Sequence, residues 1–237
     1  QQFVNVKKMK INGQSFNNYD SADKKMVMDL CGHLFLTFTQ EEAGFESLVN
    51  EHIHHVEMLE STYTLANRLR IDKIVRNKEG QVVLGDTAVK LMQKLHQLYS
   101  GTCKFETGNS MVLDLTKAEF IKSQFATAKI GIFYKFKEEL NALSQVYGAE
   151  NLTSDIEEVN ASNKSIALQI VSGREGISLR NAEYLVFYNI DFSATSFWQA
   201  RDRMTTMDRL FNKIYWIFAE GGIEDKIYKA VKAKKKY

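Results

Sequence analysis

Proline is absent from all 237 residues, where an average chain of this length carries about a dozen. The usual punctuation of loops is therefore missing, and element boundaries rest on Gly, Asn and Asp. Cysteine is nearly as scarce: Cys31 and Cys103 stand far apart with no paired spacing. That argues against a disulfide framework or a four-ligand zinc site and suits a reducing, cytoplasmic setting. No apolar run approaches the roughly 18 residues of a membrane helix, so no membrane partner is expected. An excess of one charge is lacking too, since 31 basic residues face 29 acidic ones for a net charge of +2. Whole-chain charge thus neither announces nor excludes nucleic acid, and a local basic patch stays open. The chain begins Gln1-Gln2 without initiator Met or signal-like segment, as expected of a trimmed piece of a longer protein.

What is present is ordinary globular material. Hydrophobic residues make up 44% and charged residues 25%, with 15 Phe and 10 Tyr supplying large units of burial. Residues 1–30 mix short apolar runs with Asn12-Gly13-Gln14 and Asn17-Asn18 and read as a connector or arm. Residues 33–58 suggest extended segments, and 62–100 read as helices around a hairpin turning at Asn77-Lys78-Glu79-Gly80. Asp86 is expected to cap a helix carrying Ala88, Leu91, Met92, Leu95 and Leu98, which Gly101 ends.

The second half alternates apolar strands with helices. Strands are expected at 129–134, 166–171, 184–188 and 214–218, and helices through Leu140 and Leu143, at 194–206 and at 222–234. Almost wholly apolar strands of this kind indicate a parallel sheet covered on both faces, with its chemistry in loops at the carboxyl ends of strands. One such loop reads Ser172-Gly173-Arg174-Glu175-Gly176-Ile177-Ser178-Leu179. Its two glycines let backbone amides approach a phosphate or ribose, but taken alone they suit a tight strand-to-helix turn with no ligand better. Further on, Gln199 and Arg203 are four apart and share a helical face; an Arg so placed beside a phosphate loop can stabilise a transferring phosphoryl group. Intrahelical Asp–Arg pairing explains the same stretch without chemistry. His52, His54 and His55 could offer two metal ligands on one strand face, but no third is evident and no metal is expected. Five lysines between Lys229 and Lys236 suit a DNA-facing patch or a solvated helix end.

In this order the pieces resemble the second RecA-like lobe of superfamily-two helicases, specifically the Swi/Snf-type branch. Lys129-Ile130-Gly131-Ile132-Phe133-Tyr134 resembles motif IV, Ser172 to Leu179 motif V, and Gln199-Ala200-x-x-Arg203 motif VI. Gly222-Ile223-Glu224-Asp225-Lys226-Ile227 is similar to the Gly-Thr-Ile-Glu-Glu-x-Ile signature of that branch. The resemblance covers roughly residues 90–237, and the stretch 203–209 is similar to helicases encoded by phages and prophages.

The resemblance implies an α/β, RecA-like parallel sheet sandwiched by helices at 116–237, preceded by a mainly helical protrusion with short strands at 31–115 and the arm at 1–30. It implies a DNA helicase or translocase in which this lobe closes on ATP and Mg2+ held between two lobes. Arg203 would be the arginine finger, with Arg209 a second catalytic arginine. Gly173, Glu175, Gly176 and Gln199 would contact ATP, and Ser172 and Lys135 the DNA backbone. Two departures stand out: Thr206 replaces a motif VI arginine, and Phe192-Ser193-Ala194 replaces the usual Trp-Asn-Pro. No Gly-x-x-x-x-Gly-Lys-Ser/Thr and no Asp-Glu-x-His occurs, so the first lobe is expected upstream and this piece alone is expected neither to hold nor to hydrolyse ATP. The alternative is a non-catalytic nucleic-acid-binding or interaction module, which Thr206 favours; an RNA-directed helicase is disfavoured by Ile223-Glu224.

Overall fold

A computed structural model describes residues 7–11, 14–18, 23–34, 48–171, 178–201 and 211–233. The chain forms two compact units, residues 1–45 and 46–237. In the first, β1 (Lys7–Ile11) pairs antiparallel with β2 (Gln14–Asn18), from Lys7 opposite Asn18 to Ile11 opposite Gln14. Helix α1 (Lys24–Cys31) follows, capped by Asp23, whose carboxylate accepts from the Met26 amide at 3.0 Å.

The second unit opens with β3 (Leu48–Val56), α2 (Glu60–Asp72), β4 (Ile74–Arg76), β5 (Val82–Leu84) and α3 (Ala88–Tyr99). Then come β6 (Thr102–Lys104), β7 (Ser110–Val112), α4 (Thr116–Gln124), β8 (Ile130–Tyr134) and α5 (Lys137–Tyr147). The chain continues through β9 (Leu152–Thr153), α6 (Ile156–Ala161), β10 (Ser165–Gln169), β11 (Tyr184–Phe187), α7 (Ala194–Arg201), β12 (Phe211–Ala219) and α8 (Glu224–Ala233).

Six of these strands form one sheet in the order β3-β12-β11-β8-β10-β9, with every neighbouring pair parallel. Every residue of β8 is buried, as befits a strand covered on both faces. Period-two alternation sorts β12: Ile214, Trp216 and Phe218 enter one apolar cluster, while Tyr215 and Ile217 enter the other. On the first face, register sets Phe133, Phe187 and Trp216 side by side, with ring centroids 5.1 and 4.0 Å apart. Side chains of this size bury about 150–250 Å² each and dominate the cohesion of the sheet.

The hairpins β4–β5 and β6–β7, with α2 and α3, build a third cluster around Leu69, Leu98 and Tyr99 that reaches Ala219 at the end of β12. Asp114 fastens it by accepting from the Leu59 amide, Thr62 Oγ1 and Thr116. At Gly101 the backbone has φ +80°, and an added Cβ would lie 2.3 Å from the Asp114 carbonyl oxygen. Only glycine fits that turn.

The expected strands and helices of the second half are found with bounds that differ by a few residues, positions 202–206 of the helix expected at 194–206 lying outside the described residues. Two expectations change. Residues 48–56, placed by the sequence in a separate protrusion, are the edge strand of the central sheet, because β3 pairs with β12 along its whole length. Finally, Thr87 rather than Asp86 caps α3: its side chain accepts from the Lys90 amide, three residues on, while Asp86 sits one residue too early and pairs with the Lys90 ammonium at 3.1 Å.

Candidate functional site

In a parallel sheet all strands end on the same edge, so the loops there gather side chains from distant parts of the chain. Here that edge receives Lys135 after β8, Gln169 at the end of β10, Asn189 and Asp191 after β11, and Gly222 after β12.

Of the expected site residues, Ser172, Gly173, Glu175, Gly176, Arg203 and Arg209 lie outside the described residues. Gln199 is described. Helix α7 buries Ser196 and Ala200, four apart, and leaves Gln199 exposed between them. Its amide is therefore presented to solvent from a rigid element.

Lys135 fastens three strand ends. Its ammonium pairs with Asp191 Oδ1 at 2.7 Å and lies 4.5 Å from the centre of the Phe192 ring. Its main-chain N–H donates to Glu139 Oε2 at 2.6 Å, and its carbonyl accepts from Gln169 Nε2 at 3.0 Å. Its charge is thus already partnered, and contact with a DNA phosphate would compete with Asp191. Beside it a cleft of about 460 Å³ is lined by residues including Gln97, Lys104, Lys137, Glu138 and Gln169.

Beneath this edge runs a polar chain that the sequence reading missed. His96 Nε2 meets Asn189 Oδ1, Asn189 Nδ2 donates to Glu139 Oε1 at 2.6 Å, and Glu139 Oε2 takes the amides of Lys135 and Phe136. All three side chains are fully buried. Burial, and then the Lys135 charge, hold the His96 imidazole well below its ordinary pKa, the Asn189 bond opposing only in part. His96 is therefore neutral, wedged edge-on between the Phe136 and Phe192 rings at 5.4 and 5.3 Å. Burial also raises the Glu139 carboxyl, against the hydrogen bonds it accepts. Of the three, only Glu139 left a sequence signal: it stands three residues after Phe136, where a glutamate returns to bond the start of its helix.

The signature at 222–227 has a structural reading. Glu224 Oε1 pairs with the Lys117 ammonium at 2.8 Å, both side chains having no exposed surface. It also accepts from the Ala219 amide at 3.3 Å. An added Cβ on Gly222 would meet Glu224 Oε2 at 2.1 Å, so glycine there lets the carboxylate fold back. Ile223 and Ile227 pack into the core. Nothing in the polar stretch around Lys117 marks it as a buried cation.

The remaining sequence signals are absorbed by the fold. His52 and His54 stack on Tyr215 at 5.0 and 5.7 Å, and His55 meets Asp225 at 3.0 Å. Among the described residues no group of three His, Cys, Asp or Glu side chains is placed to hold a metal, and no helix is long and apolar enough to cross a membrane. Of the terminal lysines, Lys232 reaches Tyr228 Oη at 2.9 Å; Lys234, Lys235 and Lys236 lie outside the described residues.

No protein-family profile matches the chain, and no curated protein matches it in sequence. Its fold is similar to the crystal structure of the C-terminal part of the Fun30 ATPase domain, with a TM-score of 0.59 at 14% identity. The match covers 79% of this chain and 90% of that one. The architecture is therefore the RecA-like α/β sheet, flanked by helices, that the motif order had implied.

Proposed function

We propose that the chain is the second motor lobe of an ATP-dependent DNA helicase or translocase of the Swi/Snf type, working with a first lobe that carries the phosphate cradle and magnesium ligands. One observation carries this reading. The motif IV-like strand is β8 itself, and the other three motif-like segments follow β10, β11 and β12 in turn, in a fold shared with an ATPase domain's C-terminal part. Segments that follow the strands of a parallel sheet are where α/β proteins place ligands. The stretch 203–209 supports kinship with phage and prophage helicases.

ATP with Mg2+ would be held between the lobes as this lobe closes on it, and transfer of its γ-phosphoryl group to water, with ADP leaving, would let the lobes reopen. Arg203 neutralises charge developing on that group, a role worth about 10³–10⁵ in rate in comparable systems. Arg209 stands in for the arginine that Thr206 replaces. Gln199, exposed on α7, fixes the nucleotide, and Gly173, Glu175 and Gly176 contact it as well. Ser172 and Lys135 take DNA phosphates, Lys135 by exchanging its partner Asp191. Backbone contacts of this kind are sequence-tolerant and salt-dependent.

ATP turnover, followed in a protein extended upstream to include the first lobe, tests the reading. DNA of unrelated sequences should stimulate it equally, and raising salt from about 50 to about 200 mM should raise the DNA concentration needed for half-stimulation about tenfold. A two-lobe protein indifferent to DNA would leave the non-catalytic module as the better account.

A further inference from the structure

The cleft beside Lys135 contains a buried polar group that the fold leaves unsatisfied. Gln97, on the last turn of α3, lines the cleft and is only 6% exposed. Its main-chain carbonyl accepts from Ser100 Oγ and Thr102 Oγ1 at 2.8 and 3.2 Å, which fixes the end of the helix. Its side-chain amide has no such engagement: Oε1 meets no donor, and no described residue bonds the amide nitrogen. Buried polar groups are ordinarily paired, so a bare amide in a cleft wall is completed by something that enters.

The charges around that amide indicate the kind of ligand. Lys104 on β6 and Lys137 on the first turn of α5 line the same cleft and are exposed. Neither ammonium has a partner among the described residues. Glu106, the acid two residues beyond Lys104, is held by Lys94 at 2.9 Å, as Asp191 holds Lys135 at 2.7 Å. Glu138 also lines the cleft, but its two oxygens accept from Ser110 Oγ at 2.6 Å and Asn141 Nδ2 at 2.7 Å. Burial pushes the Cys103 thiol up to about 11, so it adds no negative charge near pH 7. The unpaired cations therefore ask for an oxyanion. The Gln97 amide asks for more, a donor for Oε1 as well as an acceptor for its nitrogen. A DNA backbone brings acceptors alone, because it lacks the 2′-hydroxyl. A phosphate ester carrying hydroxyls brings both, and about 460 Å³ lies within the usual range of small-molecule sites.

We infer that the cleft walled by Gln97, Lys104 and Lys137 binds a small hydroxyl-bearing phosphate ester of the sugar-phosphate class. Its phosphate meets the two ammoniums, and one of its hydroxyls donates to Gln97 Oε1. The site goes beyond the motor reading and does not rest on it, since none of these three residues has a part in that reading.

The test uses the full 237-residue chain, without ATP, titrated with ribose 5-phosphate in a calorimeter. Ribose, inorganic phosphate and oligo-dT serve as comparison probes. Ribose 5-phosphate should bind, while ribose and inorganic phosphate should each bind at least about tenfold more weakly. Lys104→Glu and Lys137→Glu, both at the exposed rim, should each weaken binding of ribose 5-phosphate about ten- to hundredfold, and Gln97→Leu about tenfold. Replacing an unpaired buried amide by an apolar group is neutral or stabilising, so the thermal midpoint of unliganded Gln97→Leu should hold or rise. Lost binding in that variant is then not lost folding. No binding of ribose 5-phosphate, equal binding of ribose or inorganic phosphate, or unchanged affinity in the lysine variants would each overturn the proposal. So would displacement of ribose 5-phosphate by oligo-dT, which would give the cleft to DNA instead. The measurement needs neither ATP nor a first lobe, so failure to bind ribose 5-phosphate leaves the motor reading standing. Loss of the motor reading equally leaves this result intact.

Discussion

His96 is sealed under the carboxyl edge of the sheet, between two rings and one amide, with no exposed surface. Charging it there means placing a cation in a low-dielectric pocket that already feels Lys135 and Lys117. Its folded pKa lies below the ordinary value of about 6.5, so the unfolded chain binds the proton more readily. The stability that neutral His96 contributes is therefore present above about pH 6.5 and is lost as pH falls through that value. Glu139 acts in the opposite sense, its raised pKa favouring the folded state at low pH, so the effect of His96 is read as a difference. The unfolding free energy of the unaltered chain minus that of His96→Gln, from urea titrations, should decline between pH 7 and pH 5. The slope should reach at most about 1.4 kcal/mol per pH unit. A difference flat with pH would contradict a neutral, proton-excluding His96.

Helices α4 and α8 are fastened by the Lys117–Glu224 pair, which crosses from one side of the sheet's carboxyl edge to the other. Removing one member strands the other's charge with no water, so Lys117→Met should destabilise the fold by about 3–5 kcal/mol. Pairing it with Glu224→Leu should restore much of that loss, because no buried charge then remains. Urea unfolding of the single and double variants checks both statements, and a double variant no better than the single one would refute the pairing as the cause. This contact also shows where sequence reading stops. Strands β8, β10, β11 and β12 were legible because nearly all their residues are apolar, which reports burial on both faces. Strand β3 was read as extended yet assigned to a separate protrusion, because an edge strand carrying Glu51, His52, His54 and His55 looks like surface. Lys117, Asn189 and His96 were illegible for a related reason. Residue type reports average exposure, whereas a buried polar group depends on a partner up to 107 residues away in the chain.

At the scale of the whole molecule, the order of four motif-like segments was sufficient to anticipate the sheet, since order along the chain constrains a parallel α/β topology tightly. The site was legible only as a set of positions. Sequence spacing puts Gln199 on one helical face with Arg203 and Lys135 at a strand end, but it could not foresee that Asp191 already holds the Lys135 charge. The proposed function turns on whether this chain reaches across to a nucleotide held by another lobe. DNA-stimulated ATP turnover by the two-lobe protein carrying Arg203→Ala measures that directly. Turnover should fall by about a thousandfold or more, with DNA affinity nearly unchanged. Turnover equal to that of the unaltered protein would contradict the account.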